Sequence, residues 1–414
     1  MSRPPKIAHV ITTFLPVNTT AWVSALMADQ LARGCEVELV VGRHADPDLL
    51  TARRQAGITV TQIPALRKYV HPLNDLKALA RLYRHLQGRG VEVVHTHLAK
   101  AGVLGRLAAR RAGVPLILHS VYGASFAPTQ PRLRFRVFRG LERLAARVTD
   151  EFIFVGRELA EAYRQHGACP PDRGEVVYYG KDLTPFLEAA RLTPEERRAR
   201  RAALGLPAEA LVLGNVSRIV PWKGHRHGLE VTARLKAGGL PVRYVVVGDA
   251  KTPAERKYKK RLQTEVRQRG LEQEVVFTGW QANPAAFYPL FDFYLLTSMP
   301  FEGVPGAVIE AVICGLPVVG FDCYGLREIP GLHCRLAPYG DAAAVAELIV
   351  AEVPRLPELQ AACRPGPGVL TQIRERFSER TMVEETAAIY QRLFREKLPG
   401  VRWEPVMAAA RAAA

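Results

Sequence analysis

Acidic side chains are in short supply in this chain of 414 residues: 40 Asp and Glu face 57 Lys and Arg, a formal net charge of +17. Cysteine is sparse and scattered. The six (Cys35, Cys169, Cys314, Cys323, Cys334, Cys363) form no CxxC pair and have no histidine cluster beside them. That excludes a disulfide scaffold and a sequence-local zinc site, and points to reduced, buried thiols. No apolar run reaches the roughly 18 residues a spanning helix needs. The apolar run Ile7–Ile11 is too short for a secretory leader, so the expected location is cytoplasmic. Glycine (33) and proline (30) follow no period, which removes collagen-like and low-complexity readings.

What is present is ordinary globular material, 48% hydrophobic and 23% charged. A single core rarely grows past about 250–300 residues, so two domains are expected. The basic excess is uneven: up to Phe186 there are 26 Lys and Arg against 15 Asp and Glu. A basic domain calls for an acidic partner: nucleic acid, anionic membrane or phosphorylated substrate.

Short apolar runs alternate with helical periodicity throughout. Ile7–Ile11, Glu36–Gly42, Ile58–Ile63, Val91–His95, Val114–His119, Phe152–Val155 and Val176–Tyr179 read as strands. Helical patterns lie between them, as at Thr19–Leu31, Asp75–Leu86 and Lys100–Ala112. Then comes a polar stretch in which Thr193 suits a cap and Pro194 a first helical turn. The pattern restarts with Leu211–Val216, Tyr244–Gly248, Val275–Phe277, Phe293–Leu296 and Val318–Phe321. The fold class is therefore α/β: two doubly wound Rossmann-like domains facing a central cleft. The expected division is 1–186, 187–376, a helix over 377–398 returning to the first domain, and a frayed tail over 399–414.

Two constellations carry chemistry. Phe301–Ala311 follows a strand, and Gly303, Val304, Pro305, Gly306 and Ala307 form a tight turn opening a helix. Its amides and dipole suit an anion such as a diphosphate. Glu302 sits in the loop and Glu310 in the helix, placing one carboxylate at a reacting sugar and the other at the vicinal hydroxyls of a ribose. The bland alternative is two solvated glutamates flanking a turn. The second is Val216–Gly224, where Arg218 and Lys223 follow a strand and offer a fork and a point charge to phosphate. Its alternative is a solvated basic loop. Both follow strands of one sheet at their carboxyl edge, which favours the ligand reading.

These motifs resemble the retaining glycosyltransferases of family four, which have the GT-B fold. The likeness rests on Ser217-Arg218-x4-Lys223-Gly224, Val246–Asp249, Phe277-Thr278-Gly279, Glu302-x7-Glu310 and Gly315–Val319. It extends to Val94–Arg106, Val177–Phe186 and Phe377–Met382, and spans residues 7 to 395. The resemblance implies a metal-independent enzyme moving a sugar from a UDP- or GDP-linked donor. Arg218, Lys223 and Glu302 would be the catalytic set. Glu310 would bind the ribose, residues 303–307 the sugar and β-phosphate, and Gly279 with Trp280 would line the base pocket. It implies no cofactor and a returning terminal helix.

The chain also departs from the family. The first loop reads Phe14-Leu-Pro-Val-Asn18-Thr19-Thr20 where a glycine pair is common. Tyr122-Gly123 stands for His-Gly, so that either Tyr122 serves as a hydroxyl donor in place of an imidazole or the donor pocket differs. Arg157 replaces a small or acidic residue. Asn18, Thr19, His97 and Lys100 follow strands and are further candidates at the first domain's edge. Asp46-Pro47-Asp48 reads DxD but lies in a polar loop, so no metal is assigned.

Arg132, Arg136, Arg139, Arg143 and Arg147 recur at helical spacing, beside an apolar stripe of Phe138, Leu141, Ala145 and Val148. The basic face suits anionic lipid head groups, placing the protein at the inner face of the cell membrane with a lipid-linked acceptor. The expected role is polysaccharide or glycolipid assembly. The competing readings are a transferase with a small metabolite acceptor, an inactive scaffold, and a nucleic-acid binder. The last lacks any recognition-helix or aromatic stacking motif, so no nucleic acid is expected.

Overall fold

The computed structural model describes residues 3–127 and 130–403. It divides into two units: the chain up to Lys181 together with the chain from Arg376 onward, and Asp182–Glu375. The first crossing lies a few residues ahead of Phe186. Lys181 donates its N–H to the Phe377 carbonyl at 2.9 Å, whereas Phe186 packs edge-on against Tyr288 of the second unit.

The first unit holds a seven-stranded sheet of β1 (Lys6–Phe14), β2 (Glu36–Ala45), β3 (Thr59–Gln62), β4 (Val93–His97), β5 (Leu116–Val121), β6 (Glu151–Phe154) and β7 (Glu175–Val176). The order is β3-β2-β1-β4-β5-β6-β7, all pairs parallel. Helices cover both faces, so β4 and β5 are buried along their whole length. Both start two residues later than their apolar runs suggest. Just ahead of β4 the Glu92 side chain accepts the Lys6 amide at 3.1 Å, while its main chain bonds Lys6 and Leu116 at 3.0 Å each.

The second unit holds a six-stranded parallel sheet: β8 (Leu211–Val216), β9 (Val242–Val247), β10 (Val275–Gly279), β11 (Phe293–Leu296), β12 (Val318–Phe321) and β13 (Cys334–Ala337). The order is β10-β9-β8-β11-β12-β13. Leu213, Leu229, Tyr244, Val246, Phe293 and Leu295 form the centre of its core. Thr193 and Glu196 make the expected reciprocal cap before Pro194.

The terminal helix Glu379–Lys397 returns to the first unit. Tyr390 is fully buried there, and Arg392 pairs with Glu151 at 2.5 Å and Glu175 at 2.6 Å. Part of the expected frayed tail is ordered. Val401 bridges Arg3, and Trp403 stacks on Tyr390 with ring centroids 5.5 Å apart. Residues 404–414 lie outside the described residues.

One buried ion pair anchors the basic helix Arg132–Ala146. Arg106, with no exposed surface, reaches Glu142 at 2.5 Å, Thr149 at 3.2 Å and the Gly102 carbonyl at 2.8 Å. Ser125 donates to the other Glu142 oxygen at 2.9 Å. Removing one partner strands a charge in a dry site, at a cost of about 3–5 kcal/mol. Arg106→Ala is therefore expected to lower the melting temperature sharply, and Arg106→Met with Glu142→Leu to recover most of the loss. Equal melting of Arg106→Ala and wild type would contradict this anchoring.

Candidate functional site

In the second unit the strand order reverses between β8 and β11. Ligands of open α/β sheets sit at such a switch point, beyond the carboxyl ends of the strands. The loops after these two strands are clamped together. Thr297 donates its hydroxyl to the Lys223 carbonyl at 2.7 Å, and the Met299 amide donates to the Trp222 carbonyl at 2.9 Å. A Cβ on Gly224 would lie 1.9 Å from the Thr297 oxygen, and its φ is +67°. Only glycine fits.

The clamp brings both sequence constellations together. Lys223 Nζ meets Glu302 Oε2 at 2.7 Å, both side chains partly exposed. Arg218 lies 3.4 Å from the buried Glu255 and 5.6 Å over the Trp222 ring. The Lys251 amide donates to Glu255 at 2.8 Å. His225 Nε2 donates to the Arg218 carbonyl at 3.0 Å, and burial lowers its pKa to about 4, which keeps it neutral. Gly303, Val304 and Pro305 are buried, while Gly306 and Ala307 are half-buried at the start of the helix Gly306–Ile313. Pro305 occupies the capping position, one residue before the place its usual preference suggests.

Three α-helices directly follow a strand in this sheet, and a fourth follows β8 after the short 3-10 turn Pro221–Lys223. Those beginning at Pro253 and Ala342, away from the switch point, are capped by the Thr252 and Asp341 side chains. Those beginning at His225 and Gly306, at the switch point, have no side-chain cap. Their first-turn amides are without a side-chain acceptor.

Glu310 is buried and accepts from the Tyr288 hydroxyl. Burial and the Glu310 charge push the Tyr288 pKa well up, so that hydroxyl stays a donor. Gly279 has φ +73° and its carbonyl accepts from the Gly248 amide at 3.0 Å. Trp280 is exposed, with Lys251 Nζ 4.8 Å from its ring centroid. Glu255 and Tyr288 are not apparent from the sequence because each acts through a partner remote in the chain, and His225 because it bonds a main-chain carbonyl, which no residue pattern marks.

The first unit rearranges its candidates. Asn18 and Thr19 begin the helix Asn18–Ala32, which has no side-chain cap. Lys100 is engaged with Asp75 at 2.7 Å and with the Tyr69 carbonyl. Asp46 caps the helix Pro47–Gln55 by accepting from the Asp48 and Leu49 amides. His97, expected at the sheet edge, is fully buried as the last residue of β4.

His97 belongs to a buried network of hydrogen bonds. His9 Nε2 donates to Gln30 Oε1 at 2.7 Å, His97 Nε2 to His9 Nδ1 at 2.9 Å, and the Tyr122 hydroxyl to His97 Nδ1 at 3.0 Å. Beside it His95 Nε2 bonds Ser120 at 2.8 Å, and Tyr390 bonds His95 Nδ1 at 2.9 Å. The Gln30 amide orientation assigns the direction of the first chain, in which the Tyr122 proton is held by His97. The nitrogens of His9, His95 and His97 come within 4.8 Å of one another, close enough to ligate one ion. Each of their nitrogens already has a protein partner. The spacing of His95 with His97 and of Ser120 with Tyr122 was the available signal, since alternate residues of adjacent strands share a face.

The basic helix also differs from expectation. Its buried residues are Glu142, Ala145 and Ala146, while Leu141 is exposed. Arg132, Arg136, Arg143 and Arg147 are exposed, and Arg139 is half-buried with its guanidinium 5.4 Å from the Phe135 ring centroid.

Burial pushes the His9 pKa down to about 4 and those of His95 and His97 well below the ordinary value. Between about pH 6.5 and 4 the unfolded chain therefore binds more protons than the folded one. Stability is full above that window and falls as pH drops through it, by about 3 kcal/mol for His9 alone. Urea midpoints measured from pH 7.5 to 4.5 are expected to fall steadily below pH 6.5. A flat profile would contradict the neutral histidines.

The glycosyl transferase 4-like domain family matches residues 19–180, and the glycosyl transferases group 1 family matches residues 210–352. The chain is 30% identical over 339 residues to the UDP-Gal:alpha-D-GlcNAc-diphosphoundecaprenol alpha-1,3-galactosyltransferase of Escherichia coli, covering 80% of this chain and 84% of that one. It is 30% identical to a D-inositol 3-phosphate glycosyltransferase of Rhodococcus erythropolis, over 81% of this chain and 79% of the relative. Anabaena HepE, solved in complex with UDP-glucose, superposes with a TM-score of 0.72 at 22% identity, covering 94% of this chain and all of that one. Sucrose-phosphate synthase from Thermosynechococcus elongatus superposes with a TM-score of 0.73 at 17% identity, covering 95% of this chain and all of that one. Two parallel sheets with a returning terminal helix, these likenesses in fold and both family matches lead to one conclusion: the chain is a GT-B-fold glycosyltransferase belonging to the GT4-like family.

Proposed function

We propose that this protein transfers a sugar, with retention at the anomeric carbon, from a UDP- or GDP-linked donor to a hydroxyl of a lipid-linked acceptor. The observation that carries the reading is the Lys223–Glu302 pair at the β8/β11 switch point, beside two helix starts that no side chain caps. A diphosphate there would draw Lys223 away from Glu302 and gain Arg218 and the Gly306 and Ala307 amides as partners. Glu310, held by Tyr288, would accept the ribose hydroxyls. Gly303, Val304 and Pro305 would shape the sugar pocket, and Gly279 with Trp280 the base pocket.

The bond from the anomeric carbon to the diphosphate oxygen breaks as the acceptor oxygen attacks on the same face. The acceptor proton passes to the departing phosphate oxygen, whose charge is met by Arg218 and Lys223 without a metal. Asn18 and Thr19 lie beyond β1, the position for acceptor contacts on the first unit. Tyr122, whose hydroxyl donates to His97, would accept a bond from a ligand donor.

The lipid-linked acceptor is supported by the exposed arginines at 132, 136, 143 and 147, with the half-buried Arg139 between them, which suit anionic head groups. The Escherichia coli relative is named for a diphosphoundecaprenol-linked acceptor. No helix of the described residues is long and apolar enough to cross a membrane, which fits a peripheral enzyme on the cytoplasmic face working in polysaccharide or glycolipid assembly.

The test is turnover of UDP- and GDP-sugars with a polyprenyl-diphosphate-linked sugar, with the product anomer read by NMR. Retained configuration is expected, and an inverted product would contradict the mechanism. Arg218→Ala and Lys223→Ala are each expected to lose about 10²-fold or more in kcat. Near-normal turnover in either would overturn the assignment of the leaving-group site.

A further inference from the structure

The arginines of the basic helix belong to a larger surface. Helices Pro72–Leu86, Ala99–Arg111 and Arg132–Ala146 lie side by side, the middle one packed against both others. Each outer helix contains a single acid. Asp75 is paired with Lys100 at 2.7 Å and Glu142 with Arg106 at 2.5 Å, so both acids are spent on cations of the middle helix, which has no acid of its own. The outward positions are left cationic. Lys77, Arg81 and Arg84 are exposed on one outer helix, Arg110 and Arg111 on the middle one, and Arg132, Arg136, Arg143 and Arg147 on the other.

The same layer is where apolar side chains face solvent. Among the described residues, every exposed large apolar side chain except Trp280 and Val350 lies on its two outer segments. Tyr69, Val70, Leu73 and Leu76 cluster at the start of the first helix, from 59% to 68% exposed. Leu133, Val137, Leu141 and Leu144 run along the other, from 40% to 76% exposed. Their spacing keeps the second group on one side of its helix. Glu142 and Ala145 supply the buried side, turned inward by Arg106, which leaves the leucines outward.

We propose that this three-helix face is a bilayer-insertion surface, with Tyr69–Leu76 and the Leu133–Leu144 row entering the interface of an anionic membrane while the flanking arginines and lysines hold its head groups. This rests on the membrane-side acceptor reading above and adds a mode of binding to it. Apolar burial and charge act together on an interfacial helix, and only the charge contribution is screened by salt. An anionic bilayer is the occupant that meets both halves of the surface: no outward acid opposes it, and its interface takes up the leucines. A second copy of this chain would bring like charges together across the same face.

The experiment is vesicle sedimentation of the full-length protein with phosphatidylcholine alone and with added phosphatidylglycerol, at low and at molar salt. Wild type is expected to bind the anionic vesicles and to keep a measurable fraction bound at molar salt. Leu73→Ser with Leu76→Ser, both at exposed positions, is expected to lower the salt-resistant partition about tenfold or more, and Leu133→Ser with Leu144→Ser to do the same. UDP- or GDP-induced thermal stabilisation is expected to stay unchanged in these four-leucine-site variants, which separates this proposal from the donor reading. Wild type remaining in the supernatant would overturn it, as would binding lost wholly at molar salt or serine variants that sediment like wild type. A vesicle-free dimer that the serine substitutions dissociate would assign the face to a second copy instead.

Discussion

The candidate site of the second unit depends on a backbone contact. Gly224 runs so close to the Thr297 carbonyl that a methyl group would collide with it, and Thr297 in turn holds the Lys223 carbonyl. This contact fixes the loop after β8 against the loop after β11. It sets Lys223 on Glu302 and leaves two helix starts, uncapped by side chains, at the same switch point. Elsewhere in this sheet Thr252 and Asp341 satisfy their helices locally. The difference between capped and uncapped helices is what the proposed diphosphate site rests on.

The first unit solves a different problem with different means. It buries three histidines, two tyrosine hydroxyls, a serine and a glutamine around the ends of β1, β4 and β5. A low-dielectric site makes an unpaired member costly, and here every nitrogen of the three histidines has a protein partner. Gln30 comes from the helix after β1 and Tyr390 from the terminal helix. Tyr390 thus ties the last helix of the chain to β4 through His95, which makes the terminal helix part of the first unit's core and not an appendage.

Local patterns were legible in the sequence. Thr193-Pro194 before Glu196, the turn at Gly303–Ala307 and the loop from Ser217 to Gly224 declare themselves within a few residues, because caps, turns and strand periodicity are short-range. The partners that tune these sites were not. Arg218 finds Glu255, and Glu310 finds Tyr288, across 37 and 22 residues, and no spacing rule reaches that far. His97 and Tyr122 were visible as residues following strands, but strand boundaries two residues later drew His97 inward. On the basic helix the arginine spacing was plain. Which neighbouring stripe faced the core was decided by Arg106 and the small Ala145 and Ala146, so Leu141 turned to solvent.

The proposed mechanism requires the β8/β11 switch point to bind a nucleoside diphosphate. Its most direct test is the melting temperature of wild type, Lys223→Ala and Glu310→Ala with UDP, GDP and ADP. A ligand at 100 times its dissociation constant stabilises the folded state by about 2.7 kcal/mol, enough to resolve. A clear rise is expected for wild type with one nucleotide, reduced or lost in both variants. No rise with any nucleotide, or a rise that survives both substitutions, would contradict it.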